Sequence, residues 1–221
     1  MDKQTVPVKG PAVAPPESPF KMVVAMGAIG TLAAVLLVFT YLGTLPAIER
    51  NRAEALEQAI FQVLPGASRK EAFYVVGDTL RSDPEAETVG TPIFAGYDDE
   101  GQLIGVAIPA QGPGFQDVLK VIYGYDPACE CVVGFKVLES KETPGLGDKI
   151  ETDPAFVANF EALDLRASNG VPDHPLELVK PGQKTEPWQV EGITGATISA
   201  RAVTRILRAS AGEHVQLIED N

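Results

Sequence analysis

Residues 22–45 form an uninterrupted apolar run, MVVAMGAIGTLAAVLLVFTYLGTL, which is 24 residues long and carries no charged side chain. As an α-helix, the run would extend about 36 Å at roughly 1.5 Å per residue, and the hydrocarbon core of a bilayer is about 30 Å thick. We therefore predict a single transmembrane helix over residues 22–45.

The main alternative is a secretory signal peptide whose basic region would be Lys21. The apolar run is too long for the hydrophobic part of a signal peptide, and no small-x-small cleavage site closes it. Tyr41 also lies near the outer end of the run, where membrane helices commonly carry aromatic anchors. A buried helix of a soluble protein is a weaker alternative than the signal peptide, because a helix of this length would have no polar face.

The charges that flank the run predict its orientation. Lysines precede it at positions 3, 9 and 21, whereas Arg50 and Arg52 after it are offset by Glu49 and Glu54. Because basic residues favour the cytoplasmic side, we expect a cytoplasmic N-terminus and one pass through a bacterial inner membrane. Residues 46–221 hold 15 Lys and Arg against 28 Asp and Glu, a balance of −13, and we expect this acidic part in the periplasm or at the cell exterior.

The overall charge and the cysteine content exclude several classes of protein. A formal net charge of −12 argues against nucleic-acid binding, which depends on neutralising phosphates. Cys129 and Cys131 are too few for a disulfide scaffold or a four-cysteine zinc site. Two ordinary thiols, a redox-labile disulfide, and metal or iron–sulfur ligation shared with another protein of a complex remain open for them. His174 and His214 are isolated, and we expect neither to be a metal ligand.

Prolines and apolar periodicity divide the chain. Pro46 is expected to end the transmembrane helix, and Pro65-Gly66 to stop the amphipathic helix that follows. The predicted organisation is a disordered cytoplasmic segment at 1–21, the transmembrane helix at 22–45, a linker helix at 46–70, a folded domain at 71–212 and a tail at 213–221.

Alternating apolar residues in the folded domain predict β-strands at 73–76, 93–97, 102–109, 118–125 and 131–138. Residues 78–92 and 111–115 are predicted as loops, residues 164–190 as irregular, and a short helix is predicted from about Pro154. A meander of this kind needs helices to bury one face. The predicted fold class is therefore α+β: an antiparallel β-sheet covered by helices and preceded by one transmembrane helix.

Residues 191–199, EGITGATIS, form a small-residue turn that opens a helix. Thr197 and Ser199 are both plausible N-caps. The apolar face of the helix is predicted to comprise Val203, Ile206, Leu207 and Ser210. A glycine turn that leads into a helix N-terminus can bind an anion, because free amides point at whatever lies there. Taken alone, the same pattern is also that of an ordinary capped helix.

Several short motifs accompany this turn in a fixed order. After the single apolar span come PAIERNR (46–52), VLPGA (63–67), GPGF (112–115), ETPGLG (142–147) and TGAT (194–197). Together they resemble the G subunit of the Rnf electron-transport complex, and the related C subunit of the sodium-pumping NADH:quinone reductase is similar. The resemblance covers roughly residues 44–211.

The resemblance implies that residues 71–212 bind FMN covalently, through a phosphoester to Thr197 made by a separate FMN transferase. Leu146 would lie against the flavin ring and Thr143 would bond its polar edge. The family motif usually begins with Asp, and here that position is Glu191. The implied cofactor-binding residues are Thr197, Glu142, Thr143, Gly145, Leu146, Gly147, Thr194, Gly195, Ala196 and Ser199. Four aromatic residues could flank the ring, although each is expected in the core: Phe115, Tyr123, Tyr125 and Trp188.

The implied function is electron relay in a complex that passes electrons between reduced ferredoxin and NAD and moves Na⁺ or H⁺. The expected partners are the other membrane and peripheral subunits, and neither a catalytic residue nor a metal site is expected. Three alternatives remain: the C subunit of the quinone reductase, a stand-alone flavinylated protein that delivers electrons outside the membrane, and a membrane-anchored binding or scaffolding domain without flavin.

Overall fold

The computed structural model describes residues 19–168 and 171–220, so most of the predicted disordered segment at 1–21 lies outside the described residues. The chain divides into two compact units, residues 1–51 and residues 52–221. Helix α1, Pro19–Val63, begins in the first unit and ends in the second. In the described part of the chain, α1 is the one helix that is long and apolar enough to cross a membrane. Its large apolar side chains between residues 22 and 42 are exposed, as expected of a surface that faces lipid.

The prediction that Pro46 ends the first helix is wrong, because α1 continues through this residue. Proline lacks an amide hydrogen and so removes one hydrogen bond, to the carbonyl four residues earlier. The residues that follow, ERNRAEALEQA, are mostly strong helix formers. Their propensity keeps the helix going beyond the proline, and the predicted separate linker helix is the last part of α1.

Seven antiparallel strands form one sheet in the order β2-β1-β3-β4-β5-β6-β7. The strands are β1 Arg69–Val76, β2 Thr79–Arg81, β3 Thr91–Tyr97, β4 Leu103–Pro113, β5 Val118–Asp126, β6 Cys131–Glu139 and β7 Leu163–Asp164. The five predicted strands are all present, although β1 begins four residues earlier than predicted. β4 extends through Gln111 to Pro113, which were predicted as loop, because these residues pair with the start of β5.

The predicted loop at 78–92 contains β2 and helix α2, Pro84–Val89. Asp83 caps α2 by accepting hydrogen bonds from the amides of Glu85 and Ala86, and Pro84 occupies the first turn. An acidic cap followed by proline is a helix-start signal that can be read from sequence. The segment was misassigned because its polar residues resemble those of a loop.

The rest of the domain consists of short elements followed by one long helix. Helices α3 Lys149–Thr152 and α4 Pro154–Val157 are followed by a 3₁₀ turn at Ala158–Phe160. The stretch predicted as irregular contains the antiparallel pair β8 Ala167–Ser168 and β9 Val171–Pro172, and the parallel pair β10 Glu177–Val179 and β11 Gln189–Glu191. Helix α5 then runs from Thr197 to Glu219.

Helix α5 packs its predicted apolar face into the main core, where Val203, Ile206, Leu207 and Ser210 are all buried. The predicted tail from residue 213 is wrong, because α5 continues and also buries His214 and Val215. The apolar spacing of the helix is maintained at these positions, so the same face continues to meet the core. Near its end, Glu219 accepts a 2.6 Å hydrogen bond from the buried phenol of Tyr125. Burial and this carboxylate raise the pKa of Tyr125, so the phenol stays protonated as the donor.

The other face of the sheet receives the end of α1, where Ile60 and Val63 of the helix and the following Leu64 are fully buried. The close approach depends on paired glycines, Gly124 in β5 and Gly134 in β6. A Cβ atom at Gly124 would overlap the carbonyl oxygen of Val63, and one at Gly134 would lie 2.5 Å from it. The absence of side chains at Gly124 and Gly134 therefore determines where the end of α1 packs on the sheet.

We expect Gly124→Ala to lower the free energy of unfolding by about 3 kcal/mol, because a backbone group must move to admit the methyl group. Gly212→Ala is the matched control, since a Cβ there meets nothing within 4 Å. Because Gly212 lies inside α5, that change should stabilise the protein by about 0.5–1 kcal/mol. Chemical denaturation of both variants measures the difference, and a Gly124→Ala protein as stable as the wild type would contradict the packing argument.

Cys129 and Cys131 form a disulfide, which decides among the three alternatives left open by the sequence. The bond occupies both sulfur atoms, so neither is a thiolate ligand for a metal. A cross-link across so short a loop removes little entropy from the unfolded chain, about 1.6 kcal/mol at 25 °C for three residues. The disulfide therefore contributes little to the stability of the fold.

Candidate functional site

Three segments that are far apart in sequence meet around the carboxylate of Glu142. Its Oε1 atom accepts hydrogen bonds from the backbone amides of Phe115 at 2.7 Å and Gln116 at 3.1 Å. Its Oε2 atom accepts a 2.5 Å hydrogen bond from the hydroxyl of Ser199, in the first turn of α5. Glu142 is only 6% exposed. One buried carboxylate thus joins the loop after β4, the turn after β6 and the start of α5.

Gly147 allows these groups to come close together. A Cβ atom at this position would lie 2.6 Å from Oε2 of Glu142 and 2.9 Å from the hydroxyl oxygen of Ser199. Either contact is shorter than van der Waals distance, so any side chain here would separate the carboxylate from α5. The second glycine of the ETPGLG segment is therefore required by packing.

The turn at residues 143–147 presents one apolar side chain to solvent. The amides of Leu146 and Gly147 donate to the carbonyl of Thr143 at 3.1 and 3.0 Å, and Gly145 adopts a φ of +77° that favours glycine. The side-chain amide of Gln116 donates to the hydroxyl of Thr143 at 3.2 Å. This hydrogen-bonded turn leaves the Leu146 side chain 51% exposed.

The start of α5 has no side-chain cap, contrary to the prediction that Thr197 or Ser199 would be the N-cap. The N-cap position is Ala196, and Thr197 is the first helical residue. Ser199 cannot cap because its hydroxyl is committed to Glu142. The first amides of a helix have no acceptor within the helix, and the first helical amide bond in this one runs from Ala200 to Ala196, at 3.0 Å. The amides at 197–199 therefore give this end a positive electrostatic potential.

The side chain of Thr197 is exposed beside these amides. Its hydroxyl donates one long hydrogen bond, 3.5 Å, to the carbonyl of Ile193. The preceding Gly195 has a φ of +85°, which turns the chain sharply into the helix. Thr197 therefore differs from Ser199, two residues further on, in having a hydroxyl that another molecule can reach.

A cleft of about 380 Å³ lies between the three segments. Its rim carries three large apolar side chains that are more than half exposed, those of Phe115, Leu146 and Ile198. Of the ten predicted cofactor-binding residues, eight line the cleft: Glu142, Thr143, Leu146, Gly147, Gly195, Ala196, Thr197 and Ser199. An apolar cleft of this size with a few convergent polar groups is typical of a small-molecule site.

Two of the predicted residues do not line the cleft. Gly145 shapes the turn behind Leu146, and Thr194 lines a neighbouring depression together with Glu191. Ile198 lines the cleft without having been predicted, although its position next to Thr197 could have indicated it. Phe115, expected in the core, is 59% exposed at the cleft.

The other aromatic candidates lie away from the cleft. Tyr123 and Tyr125 are fully buried, which confirms the expectation of core positions, and the phenol of Tyr123 lies 3.1 Å from the hydroxyl of Ser210. Burial raises the pKa of Tyr123 far above its usual value. Trp188 stacks on the ring of His174 at a centroid distance of 3.7 Å.

Glu191, the first residue of the EGITGATIS segment, supports the strand that leads into the turn. Its carboxylate accepts a hydrogen bond from the amide of Gly182, and its backbone amide donates to the side chain of Asn159 at 2.9 Å. The ammonium of Lys184 donates to the side-chain oxygen of the same Asn159. Burial lowers the pKa of Lys184, and the negative charge of Glu191 partly opposes this shift. The acidic side chain is thus accommodated by a local hydrogen-bonding network.

Comparison with known proteins identifies the family. The family model described as "FMN-binding domain" matches residues 114–211, which include all three segments of the cleft. The G subunit of the ion-translocating oxidoreductase complex of Methanosarcina acetivorans is 32% identical over 193 residues, covering 86% of this chain and 91% of that protein. This chain belongs to the same G-subunit family. The corresponding protein of Aliivibrio fischeri is 30% identical over 85% of both chains.

The fold is also that of two solved structures. NqrC of Shewanella oneidensis superposes with a TM-score of 0.63 at 19% identity, covering 78% of this chain and 98% of that one. The C subunit of the Na⁺-translocating NADH-quinone reductase of Parabacteroides distasonis gives a TM-score of 0.60 at 22% identity, over 76% and 94% of the two chains. At these identities the likeness establishes the antiparallel sheet-and-helix fold and no more.

Family membership and the apolar helix together define the setting of the protein. As a member of the G-subunit family, this chain is one component of an ion-translocating oxidoreductase complex, and it therefore has a redox role and other subunits as partners. Its N-terminal apolar helix is suited to anchor it in a membrane.

Proposed function

We propose that this protein is a membrane-anchored electron carrier that holds FMN covalently through a phosphoester to Thr197. The observation that carries the proposal is the exposed side chain of Thr197, at the first residue of an uncapped helix and at the wall of an apolar cleft. In this proposal residues 22–45 span the membrane, the last part of α1 replaces the predicted linker helix, and the FMN-binding domain extends from about residue 71 to the end of α5.

The residues present fit a phosphate at one end of the cleft. A phosphate attached to Thr197 would lie against the amides of residues 197–199 at the positive end of α5. Gly195 and Ala196 leave that approach free of bulky side chains. Thr194 and Ser199 carry hydroxyls nearby, but that of Ser199 is buried in its bond to Glu142. Thr197 and Ser199 are the two hydroxyl residues in the first turn of α5, and Thr197 is therefore the better attachment residue.

The residues also fit a flat, largely apolar ring at the other end. Phe115, Leu146 and Ile198 supply apolar surface, and Thr143 with its neighbouring amides supplies polar contacts for a ring edge. The volume of about 380 Å³ lies within the range of small-molecule sites. When bound, FMN would supply one- and two-electron transfer. The protein's own residues would bind and orient the ring while leaving one side open to a redox partner.

The surroundings of Thr197 do not activate its hydroxyl. The hydrogen bond that this hydroxyl donates goes to a backbone carbonyl, which is not a base. Glu142, the carboxylate that lines the same cleft, already accepts three hydrogen bonds. An unassisted threonine hydroxyl is a weak nucleophile. We therefore expect attachment to require a separate FMN transferase, and no stand-alone catalysis by this protein.

We propose further that the N-terminus is cytoplasmic and that the FMN-binding domain lies on the outer side of a bacterial inner membrane. The lysines that precede the apolar run support this orientation. The Cys129–Cys131 disulfide supports it independently, because disulfides form and persist outside the cytoplasm. The other membrane and peripheral subunits of the complex would then deliver and remove the electrons.

Intact mass spectrometry tests the cofactor assignment. Protein produced together with an FMN transferase should exceed its sequence mass by one FMN minus one water, and the denatured band should fluoresce in a gel. Protein produced without the transferase should have the sequence mass. A colourless product of unchanged mass in the presence of an active transferase would instead favour the binding or scaffolding alternative.

Proteolysis tests the orientation. In cells whose outer membrane has been opened, an added protease should degrade the domain after residue 46 and spare a tag fused to the N-terminus. Solubilising the membrane with detergent should expose the tag as well. Protection of the domain with loss of the tag would reverse the proposed topology.

A further inference from the structure

The Cys129–Cys131 disulfide lies outside the cleft and has no part in the proposed function. We propose that it is a thiol–disulfide exchange site, which accepts two electrons from a protein dithiol through attack on the sulfur of Cys129. This inference goes beyond flavin-based electron relay and does not depend on the presence of flavin.

The disulfide is at the opposite end of the sheet from the cleft. Strand β5 begins at Val118, next to the loop that carries Phe115, and ends at Asp126, next to the cysteine-bearing turn. Nine residues of strand extend about 30 Å at roughly 3.3 Å per residue. Exchange at the disulfide is therefore spatially separate from the proposed flavin, and a different partner must supply its electrons.

The two cysteines differ in exposure. Cys129 is exposed in the hairpin turn between β5 and β6, whereas Cys131 is half-buried as the first residue of β6. An attacking thiolate needs access to the sulfur with which it forms the new bond, and the other sulfur leaves. The geometry therefore assigns Cys129 as the attacked atom and Cys131 as the leaving group.

Contacts that do not involve the sulfurs hold the turn in place. The amide of Ala128 donates to the carboxylate of Asp126 at 2.8 Å, and the amide of Leu165 donates to the carbonyl of Glu130 at 2.9 Å. Cys131 also pairs through its backbone with Asp126 and with Asp164. Because these bonds persist without the cross-link, the turn should keep its position when the disulfide is reduced.

The residue inside the disulfide ring is held in a strained conformation. Glu130 has a φ of +50°, and among the described residues it is the one non-glycine residue with a positive φ. The left-handed region is unfavourable for glutamate, which has neither the freedom of glycine nor the short polar side chain of asparagine. Reduction opens the ring around Glu130 and removes one constraint on its backbone, while the hydrogen bond to its carbonyl stays in place. Strained and exposed disulfides are the ones that exchange readily.

The proposed reaction is balanced with a dithiol as the reductant. A thiolate of the partner attacks Cys129, the bond between Cys129 and Cys131 breaks, and Cys131 leaves and takes up a proton. The partner's second thiol then attacks the mixed disulfide, so that Cys129 is released as a thiol and the partner becomes a disulfide. The acidic residues at the turn, Asp126 and Glu130, favour a partner whose contact surface is neutral or basic.

The test uses the full-length protein in detergent, without denaturant, and reduced glutathione as the probe. Positions 129 and 131 hold the only two cysteines of the sequence, so alkylation after acid quenching followed by intact mass counts the thiols without ambiguity. We expect two labels per chain, an unchanged circular dichroism spectrum, and full reversal by oxidised glutathione. Labels that appear only in denaturant, or only together with loss of structure, would overturn the proposal.

Single-cysteine variants test the assignment of the attacked sulfur. Cys131→Ser leaves the thiol of Cys129, and Cys129→Ser leaves the thiol of Cys131. The first variant should react with oxidised glutathione about 10-fold faster, because its thiol is exposed. Equal or reversed rates would overturn the assignment. Thr197→Val should leave the exchange unchanged, so a failure of the flavin proposal and a failure of this one can be told apart.

Discussion

Thr197→Val should reduce covalent flavin to an undetectable level in protein produced together with an FMN transferase. Valine keeps the shape of threonine but lacks the hydroxyl that would form the phosphoester. Because the Thr197 side chain is exposed and the hydrogen bond of its hydroxyl is 3.5 Å long, the change should leave the fold intact. Intact mass and in-gel fluorescence measure the flavin, and the melting temperature measures the fold.

Thr194→Val is the matched control, since it removes the other exposed hydroxyl of the same turn. Thr194 lines the depression beside Glu191 instead of the cleft, and so its change should preserve the covalent bond. Flavin that persists in Thr197→Val, or that is lost equally in both variants, would contradict the assignment of Thr197. Flavin found instead on a Thr194 or Ser199 peptide would relocate the attachment site.

Glu142→Ala should lower the free energy of unfolding by about 3–5 kcal/mol, the range observed when one partner of a buried charged network is removed. Three donors lose their acceptor at once: the amides of Phe115 and Gln116 and the hydroxyl of Ser199. Glu142→Gln keeps the shape and one acceptor oxygen, so it should cost less, about 2 kcal/mol. Flavin incorporation should fall in both variants, and it should fall further in Glu142→Ala than in Glu142→Gln.

Glu139→Gln provides the control for Glu142. Glu139 is three residues away and forms exposed ion pairs with Lys120 and Arg52, which hold the pKa of its carboxyl below the usual value. Exposed pairs of this kind contribute little, so this change should alter stability by less than about 1 kcal/mol. If Glu142→Ala were no more harmful than Glu139→Gln, Glu142 would not be the link between the three segments.

The segments of the candidate site were easier to predict from sequence than the contacts between them. The ETPGLG and TGAT segments could be recognised as turns because proline fixes one backbone angle and glycine permits conformations that other residues avoid, and the resemblance then implied that they bind the cofactor. The role of Glu142 in joining the segments was not predictable, because its partners Phe115 and Ser199 lie 27 and 57 residues away in the chain. The N-cap at Ala196 was also not predictable, because the hydroxyl of Ser199 is bonded to the distant Glu142 and does not cap the helix.

Errors in the predicted secondary structure arose where a local signal was given the wrong weight. The helix runs through Pro46 although proline is a breaking signal, and α5 continues past residue 212. In both cases the residues that follow have helical propensity or helical apolar spacing. The polar stretch at 78–92 has the composition of a loop, but its acidic cap followed by proline starts helix α2.

Local patterns in the chain were enough to predict the apolar span, five strands of the sheet and the buried face of α5, whereas Thr197 as the residue proposed to carry the cofactor came from the resemblance to a known family. Periodicity and short motifs act within one segment, so they can be recognised before the chain is folded. Three other features required the folded structure: the bond between Cys129 and Cys131, the seating of α1 on Gly124 and Gly134, and the assembly of the cleft by Glu142. The last two depend on distances between atoms that only folding brings together, whereas Cys129 and Cys131 are close in any conformation and the structure decides only that they are bonded.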